Sequence, residues 1–133
     1  MCIRDRIGNV LGADALMLNV EAGRPLLIDR YDDGEGPRRS YIGPKTLADV
    51  IETLIREPSP LPSALNVAAP RPVTMNAIAE AADCSWTWRE ARDPSTQNIV
   101  LSCHLLAERH EFLPSDSDPV AMIQQWQLLR GLS

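Results

Sequence analysis

Two side chains have both the chemistry and the position to bind an anionic small molecule. Asn9 stands in an apolar run, residues 7–11, that predicts a β-strand. In open α/β sheets, ligands bind beyond the carboxyl ends of the strands. Arg39 lies in a short extended segment, and its forked guanidinium matches two oxygens of a phosphate at once. The alternatives are a polar strand end for Asn9 and, for Arg39, a surface ion pair with the preceding acidic turn.

The other reactive side chains predict no self-contained active site. The sequence has neither a glycine-rich phosphate loop nor a serine nucleophile elbow. Cys103 and His104 are adjacent, but Cys84 is too isolated to complete a structural zinc pattern, so we predict no metal site. The acidic residues of segment 29–35 flank a glycine and lack the periodicity of a calcium loop, which favours a solvated turn.

Tyr41 and Lys45 have the spacing of a Tyr-x-x-x-Lys pair, in which both side chains must share one face of a helix. Pro44 disfavours a helical conformation at Gly43. We therefore reject this pair as catalytic and predict no catalytic residue in the chain.

The elements that position these residues are read from apolar periodicity and turn residues. The clearest helix begins near Thr46, where apolar residues recur at i, i+3, i+4, i+7 and i+8. Thr74 and Ser102 are candidate helix N-caps, and Pro119 opens the last helix, whose predicted apolar face includes Val120 and Ile123. The remaining predictions are strands at 7–11, 26–31, 65–69 and 85–91, extended segments at 38–44 and 99–102, and helices at 13–20, 75–82 and 103–110. Trp126 and Leu129 complete the predicted apolar face of the last helix.

Composition limits the classes of function. The chain has 133 residues, 44% of them hydrophobic, and a net charge of −5 without a basic run, which argues against a nucleic-acid or anionic-membrane partner. No apolar run reaches the length of a membrane helix, and the three cysteines do not form a disulfide framework. We therefore expect a cytoplasmic protein of about one domain.

Three motifs, in this order and spacing, resemble a known family. They are "RIGNVLG" at residues 6–12, "DGEGPRRSYIGPKTLADVI" at 33–51 and "LPSALNVAAPRPVTMNAIAEAA" at 61–82. Together they resemble the C-terminal half of the NAD-dependent epimerase/dehydratase family, the extended short-chain dehydrogenases. The first is similar to the family's Arg-x-x-Asn-Val-Tyr-Gly strand, with Leu11 in the place of the tyrosine. The family's acidic pair after the second motif is replaced by Lys45 and Thr46.

The resemblance implies a fold class and site residues. The expected fold is α/β: the last parallel strands of a Rossmann-type extended short-chain dehydrogenase with its small substrate-binding subdomain. It places Asn9 and Arg39 on a nucleotide-sugar substrate and Gly8 near the nicotinamide end of the cofactor. Arg92 matches a further family arginine that binds substrate, although "RDPST" lacks the Gly-Asp of the family loop. The intact parent would use NAD or NADP, transfer a hydride and, in many relatives, form a homodimer.

The same resemblance predicts a fragment. The family's dinucleotide loop and its Tyr-x-x-x-Lys helix lie upstream of residue 6, so we expect residues 1–6 to be a non-native leader. Residues 7–133 are then the C-terminal substrate-binding part, predicted to be inactive alone and to bind no cofactor stably. The alternative is a stand-alone small α/β binding or scaffold module without catalysis.

Overall fold

The computed structural model of the protein describes residues 4–92 and 96–131 as a mixed α/β chain. Its strands are β1 (Arg4–Ile7), β2 (Asn9–Val10), β3 (Leu27–Arg30), β4 (Arg38–Arg39), β5 (Tyr41–Ile42), β6 (Ala64–Val67), β7 (Val73–Thr74), β8 (Thr87–Glu90) and β9 (Asn98–Ile99). Its helices are α1 (Ala15–Glu21), α2 (Pro44–Arg56), α3 (Met75–Ala81), α4 (His104–Ala107) and α5 (Pro119–Leu129), with a 3₁₀ turn at Pro114–Ser117.

The predicted first strand is divided at Gly8. Residues before it form β1, which pairs in parallel with β6, and residues after it form β2, which pairs in parallel with β5. The Gly8 N–H donates to the Val67 carbonyl at 2.9 Å, and the Asn9 N–H donates to the Ser40 carbonyl at 2.9 Å. The strand therefore exchanges one partner for another between two adjacent residues.

The other strands form small sheets as well. β3 and β8 pair in parallel, while β4 lies between β7, which is antiparallel to it, and β9, which is parallel. Within the described residues, no sheet has more than three strands. Parallel pairing of strands distant in sequence is the pattern expected of an α/β chain with crossover helices.

Two apolar clusters form the core. The larger packs α1, α3 and α5 against β3 through residues such as Met17, Ile28 and Ile78. The second packs α2 against β6 through Val50 and Val67. Val10 of β2 packs against the second cluster and Leu11, the next residue, lies in the larger one, so the segment that carries Asn9 is held from both sides.

The helix starts agree with the sequence in two of three cases. Thr74 caps α3 by accepting the Ala77 N–H at 3.2 Å, and Pro119 is the first residue of α5, as predicted. Ser102 is not a cap. The residue at the start of α4 is Cys103, which makes no side-chain capping bond.

The predicted apolar face of α5 is wrong at both ends. Val120 and Leu129 are exposed, whereas Met122 and Ile123 are buried and Trp126 packs against the larger core cluster. The helix is apolar on several sides, and only tertiary contacts decide which side is buried.

None of the helices in the described residues is long and apolar enough to cross a membrane.

Candidate functional site

A cleft of about 320 Å³ lies at the carboxyl ends of β1 and β6. It brings together three of the four residues predicted from the sequence: Gly8, Asn9 and Arg39. The remaining lining residues are Ile7, Ser40, Ile99 and Leu101. Arg39 is the one charged residue among these lining residues, so the cleft has a positive charge in a chain whose net charge is −5.

Asn9 offers an unused polar group to this cleft. Its backbone is fixed by the bond to Ser40, but its side-chain amide has no hydrogen-bond partner among the described residues. An amide supplies two N–H donors and one carbonyl acceptor. Asn9 thus lines the cleft with an amide that has free donor and acceptor groups within the described residues.

Gly8 permits the close approach that shapes the cleft. A Cβ atom at this position would lie 2.7 Å from the Ser40 carbonyl oxygen and 3.3 Å from the Ala68 Cβ. Both distances are shorter than ordinary van der Waals contacts. A side chain here would push the β4–β5 segment away from β1.

Arg39 is anchored by main-chain carbonyls. Its Nη1 donates to the carbonyl oxygens of Arg38 at 2.9 Å and Gln97 at 2.6 Å. Its Nη2 donates to the Thr96 carbonyl at 3.2 Å. A guanidinium has five N–H donors, so two of them have no acceptor in the described part of the chain. No carboxylate of the described residues pairs with Arg39.

The predicted surface ion pair forms at the neighbouring arginine instead. Arg38 Nη2 lies 3.0 Å from Asp33 Oδ2, while Arg39 faces the cleft on the other side of the strand. The pKa of Asp33 is lowered by the hydrogen bonds from the Glu35 N–H and the Gln97 side chain, and by Arg38. Asp33 therefore stays ionised and holds Arg38, which leaves Arg39 without a counter-charge.

Tyr41 and Lys45 do not form a catalytic pair. Tyr41 lies in β5 and is buried, and Gly43 has an extended backbone before α2 begins at Pro44. Burial, and to a lesser extent the charge of Asp14, raises the pKa of the Tyr41 phenol. The two side chains therefore do not share a helix face, which agrees with the rejection of this pair from the sequence.

Arg92 does not join the other predicted residues. It lines a separate cleft of about 420 Å³ together with Arg30, Tyr31, Asp32, Asp33, Glu90, Ala91 and Gln97. Its predicted contact with a substrate stays a prediction. The described residues contain no group of three or more side chains arranged to hold a metal ion.

No motif in the sequence indicates Ser40, Ile99 or Leu101 as part of the cleft. Ser40 contributes through its carbonyl, which binds Asn9, and through its hydroxyl, which accepts the Leu101 N–H at 2.8 Å. Ile99 reaches the cleft because β9 pairs with β4, with Ile99 opposite Arg39. The pairing of these two-residue strands depends on tertiary structure, so only a resemblance could have indicated it.

Solved structures share the fold over nearly the whole chain. The UDP-glucuronic acid 4-epimerase of Bacillus cereus aligns with a TM-score of 0.64 and 10% identity, over 98% of this chain and 46% of its own. An NAD-dependent NDP-hexosamine 5,6-dehydratase of tunicamycin biosynthesis aligns with a TM-score of 0.61 and 17% identity, over 92% of this chain and 44% of its own. The UDP-glucose 4-epimerase of Thermus thermophilus aligns with a TM-score of 0.56 and 21% identity, over 94% of this chain and 46% of its own. No family model and no curated protein matches the sequence.

The chain has the fold of the C-terminal half of the extended short-chain dehydrogenases. This confirms the fold class predicted from the three motifs. The chain spans less than half of the length of each of the three enzymes. In this extended short-chain dehydrogenase fold, the cleft of Gly8, Asn9 and Arg39 lies where two parallel strands end.

Proposed function

We propose that this chain is the substrate-binding part of an NAD(P)-dependent, nucleotide-sugar epimerase or dehydratase. The observation that carries the proposal is the convergence of Gly8, Asn9 and Arg39 on one cleft with a single uncompensated positive charge. The structural neighbours support the substrate class and the cofactor, because one was solved with UDP-glucuronic acid and NAD and another with NAD.

The cleft suits the diphosphate of a nucleotide sugar. Arg39 is already oriented by three carbonyl bonds, so binding an anion costs little side-chain entropy. A planar guanidinium binds two phosphate oxygens at once, and the amide of Asn9 adds donors to the same ligand. Ile99 and Leu101 give the cleft an apolar side.

The cofactor belongs to the longer enzyme in this proposal. NAD or NADP, when bound there, takes a hydride from the substrate. In this chain Gly8, in the wall of the cleft, is the one residue proposed to lie beside it. We propose that the 133-residue chain neither binds the cofactor stably nor catalyses the reaction.

Titration with UDP-glucose and with UDP, followed by calorimetry, tests the proposed site. We expect Arg39→Gln to weaken binding by about tenfold or more, since a charge-assisted hydrogen bond contributes about 1.5–3 kcal/mol. Arg38→Gln is the matched control, because it removes the same charge from the adjacent residue, whose guanidinium pairs with Asp33. Equal effects of the two substitutions would show general charge attraction and would contradict the proposal.

Asn9→Ala provides a second readout at the same cleft. We expect it to weaken UDP-glucose binding while leaving the free energy of unfolding nearly unchanged, because its amide makes no hydrogen bond within the described residues. Unchanged affinity for both ligands would remove Asn9 from the site.

A further inference from the structure

Two of the three carbonyl groups that hold Arg39 lie outside its own strand. Arg39 Nη1 donates to the Gln97 carbonyl oxygen at 2.6 Å and Nη2 donates to the Thr96 carbonyl oxygen at 3.2 Å, whereas the Arg38 carbonyl belongs to β4 itself. The Gln97 carbonyl also accepts the Arg38 N–H at 2.8 Å. The direction of the guanidinium in the cleft therefore depends on where residues 96–97 lie.

Strand pairing alone holds this segment weakly. β9, which follows it, pairs with β4 over only two residues, Asn98 and Ile99, and both are exposed. Little apolar surface is therefore buried at the start of β9, and such burial is the dominant favourable contribution to folding. Beyond β9, the Leu101 N–H binds the Ser40 hydroxyl at 2.8 Å. That bond fixes the end of the segment that is farther along the chain from the acceptors of Arg39.

The side chain of Gln97 attaches the nearer end. Its Nε2 lies 2.9 and 3.0 Å from the two carboxylate oxygens of Asp33 and 3.4 Å from the Gly36 carbonyl oxygen. Asp33 also accepts the Glu35 N–H at 2.9 Å and binds Arg38 Nη2 at 3.0 Å. The bond from Glu35, then those from Gln97 and Arg38, lower the pKa of Asp33, so the acceptor stays ionised. Gln97 thus ties the segment to the turn that contains Asp33.

We propose that Gln97 is the positioning residue of Arg39: its side chain binds the turn, and its carbonyl holds the guanidinium toward the substrate. Gln97 does not line the cleft of Arg39, and it lies instead in the wall of the second cleft beside Asp33. An effect of its amide on the ligand must therefore pass through the main chain and Arg39. The inference rests on the proposed function, because it takes Arg39 to bind the substrate.

Calorimetry with UDP-glucose on the 133-residue chain tests this role. Gln97→Ala removes the amide and keeps the main-chain carbonyl. We expect it to weaken UDP-glucose binding about two- to tenfold, which corresponds to the entropy of immobilising one long side chain. Asn98→Ala is the matched control, because it removes an amide from the adjacent exposed residue, and its affinity should equal that of the wild type.

The double variant Arg39→Gln/Gln97→Ala separates positioning from a general loss of structure. If Gln97 acts through Arg39, adding Gln97→Ala to Arg39→Gln causes no further loss of affinity. A further loss equal to that of Gln97→Ala alone would show a purely structural role and would overturn the proposal. Unchanged affinity in Gln97→Ala would overturn it as well.

NMR relaxation of the Arg39 guanidinium nitrogens gives a readout that needs no ligand. We expect the guanidinium to be rigid in the wild type and mobile in Gln97→Ala on the fast timescale that relaxation reports. Equal rigidity in the two proteins would overturn the positioning role. A wild-type chain that binds no UDP-glucose contradicts the proposed function alone, and the relaxation of Arg39 then decides whether Gln97 orients it.

Discussion

At the scale of single residues, the shape of the cleft depends on Gly8, which has no Cβ atom. Gly8 lets the Ser40 carbonyl approach the strand closely enough to accept the Asn9 N–H, and that bond fixes the backbone of Asn9. Ser40 in turn follows Arg39 in the chain. One missing Cβ therefore determines the distance between the two proposed substrate-binding side chains.

Gly8→Ala is expected to weaken both stability and binding. The new methyl group would meet the Ser40 carbonyl oxygen at 2.7 Å, which forces a main-chain shift and costs about 1–3 kcal/mol. Gly23→Ala is the control: nothing lies within 4 Å of its Cβ position, but its φ is +68°. It should cost about 1 kcal/mol and leave UDP-glucose affinity unchanged. Urea denaturation and calorimetry measure both effects, and an unaltered affinity in Gly8→Ala would contradict this account of the cleft.

The buried phenol of Tyr41 should make the fold sensitive to alkali. Burial raises the pKa of Tyr41, whereas the unfolded chain ionises near the ordinary value of about 10. Above that pH the unfolded state binds fewer protons than the folded state, so the free energy of unfolding falls as pH rises. We expect Tyr41→Phe to reduce this alkaline loss in urea titrations at pH 9 to 11. An identical loss in Tyr41→Phe would show that other groups cause it.

The predictable and unpredictable parts of the site differ in their physical origin. The sequence predicts Asn9 and Arg39 as site residues because a strand end and a guanidinium have intrinsic chemistry, and their binding role stays a prediction. Side chains alternate along a strand, so Arg38 and Arg39 lie on opposite faces of β4. Which of the two arginines forms the ion pair with Asp33 depends on the path of the preceding turn. Ile99 enters through long-range strand pairing, which no local pattern encodes.

At the scale of elements, the start of α2 is completed by another helix. Gly43 has no side chain with which to cap it, and Gln125 of α5 takes that role. Its Oε1 accepts the backbone N–H groups of Lys45 and Thr46, each at 3.1 Å, and its Nε2 donates to the Thr46 hydroxyl at 2.9 Å. This contact joins segments that are 79 residues apart.

Gln125→Ala is expected to destabilise the fold by about 1–2 kcal/mol, because it leaves N–H groups of the first turn unpaired. Gln124→Ala is the matched control, since Gln124 is exposed on the same helix and should change stability by less than about 0.5 kcal/mol. Urea denaturation midpoints give the comparison. Equal effects would mean that water replaces the Gln125 cap without cost.

The element predictions succeeded where local chemistry suffices. Thr74 and Pro119 mark helix starts through their own side chains, and the periodicity of α2 places Val50 in the core. The face of α5 could not be predicted, because its apolar residues surround the helix. The division of the first strand at Gly8 was also missed, since it follows from the approach of Ser40 from a distant segment.

At the scale of the whole molecule, the sheets are small for a protein of this length. β1 and β6 form a parallel pair with no third strand among the described residues, and Ile7 is exposed. Parallel strands are usually covered on both faces within larger sheets. The structure therefore favours low stability of the isolated chain, which is also the expectation for part of a longer enzyme.

Urea denaturation of the 133-residue chain at several protein concentrations measures that stability and reveals any contribution from association, which would make it depend on concentration. We expect a free energy of unfolding below about 5 kcal/mol, the lower end of the range for native domains. The reason is that the two core clusters support sheets of only two or three strands. A cooperative transition with a value well above this would show that the chain is stable by itself, and a stand-alone α/β binding module would then explain the cleft better than a part of an enzyme.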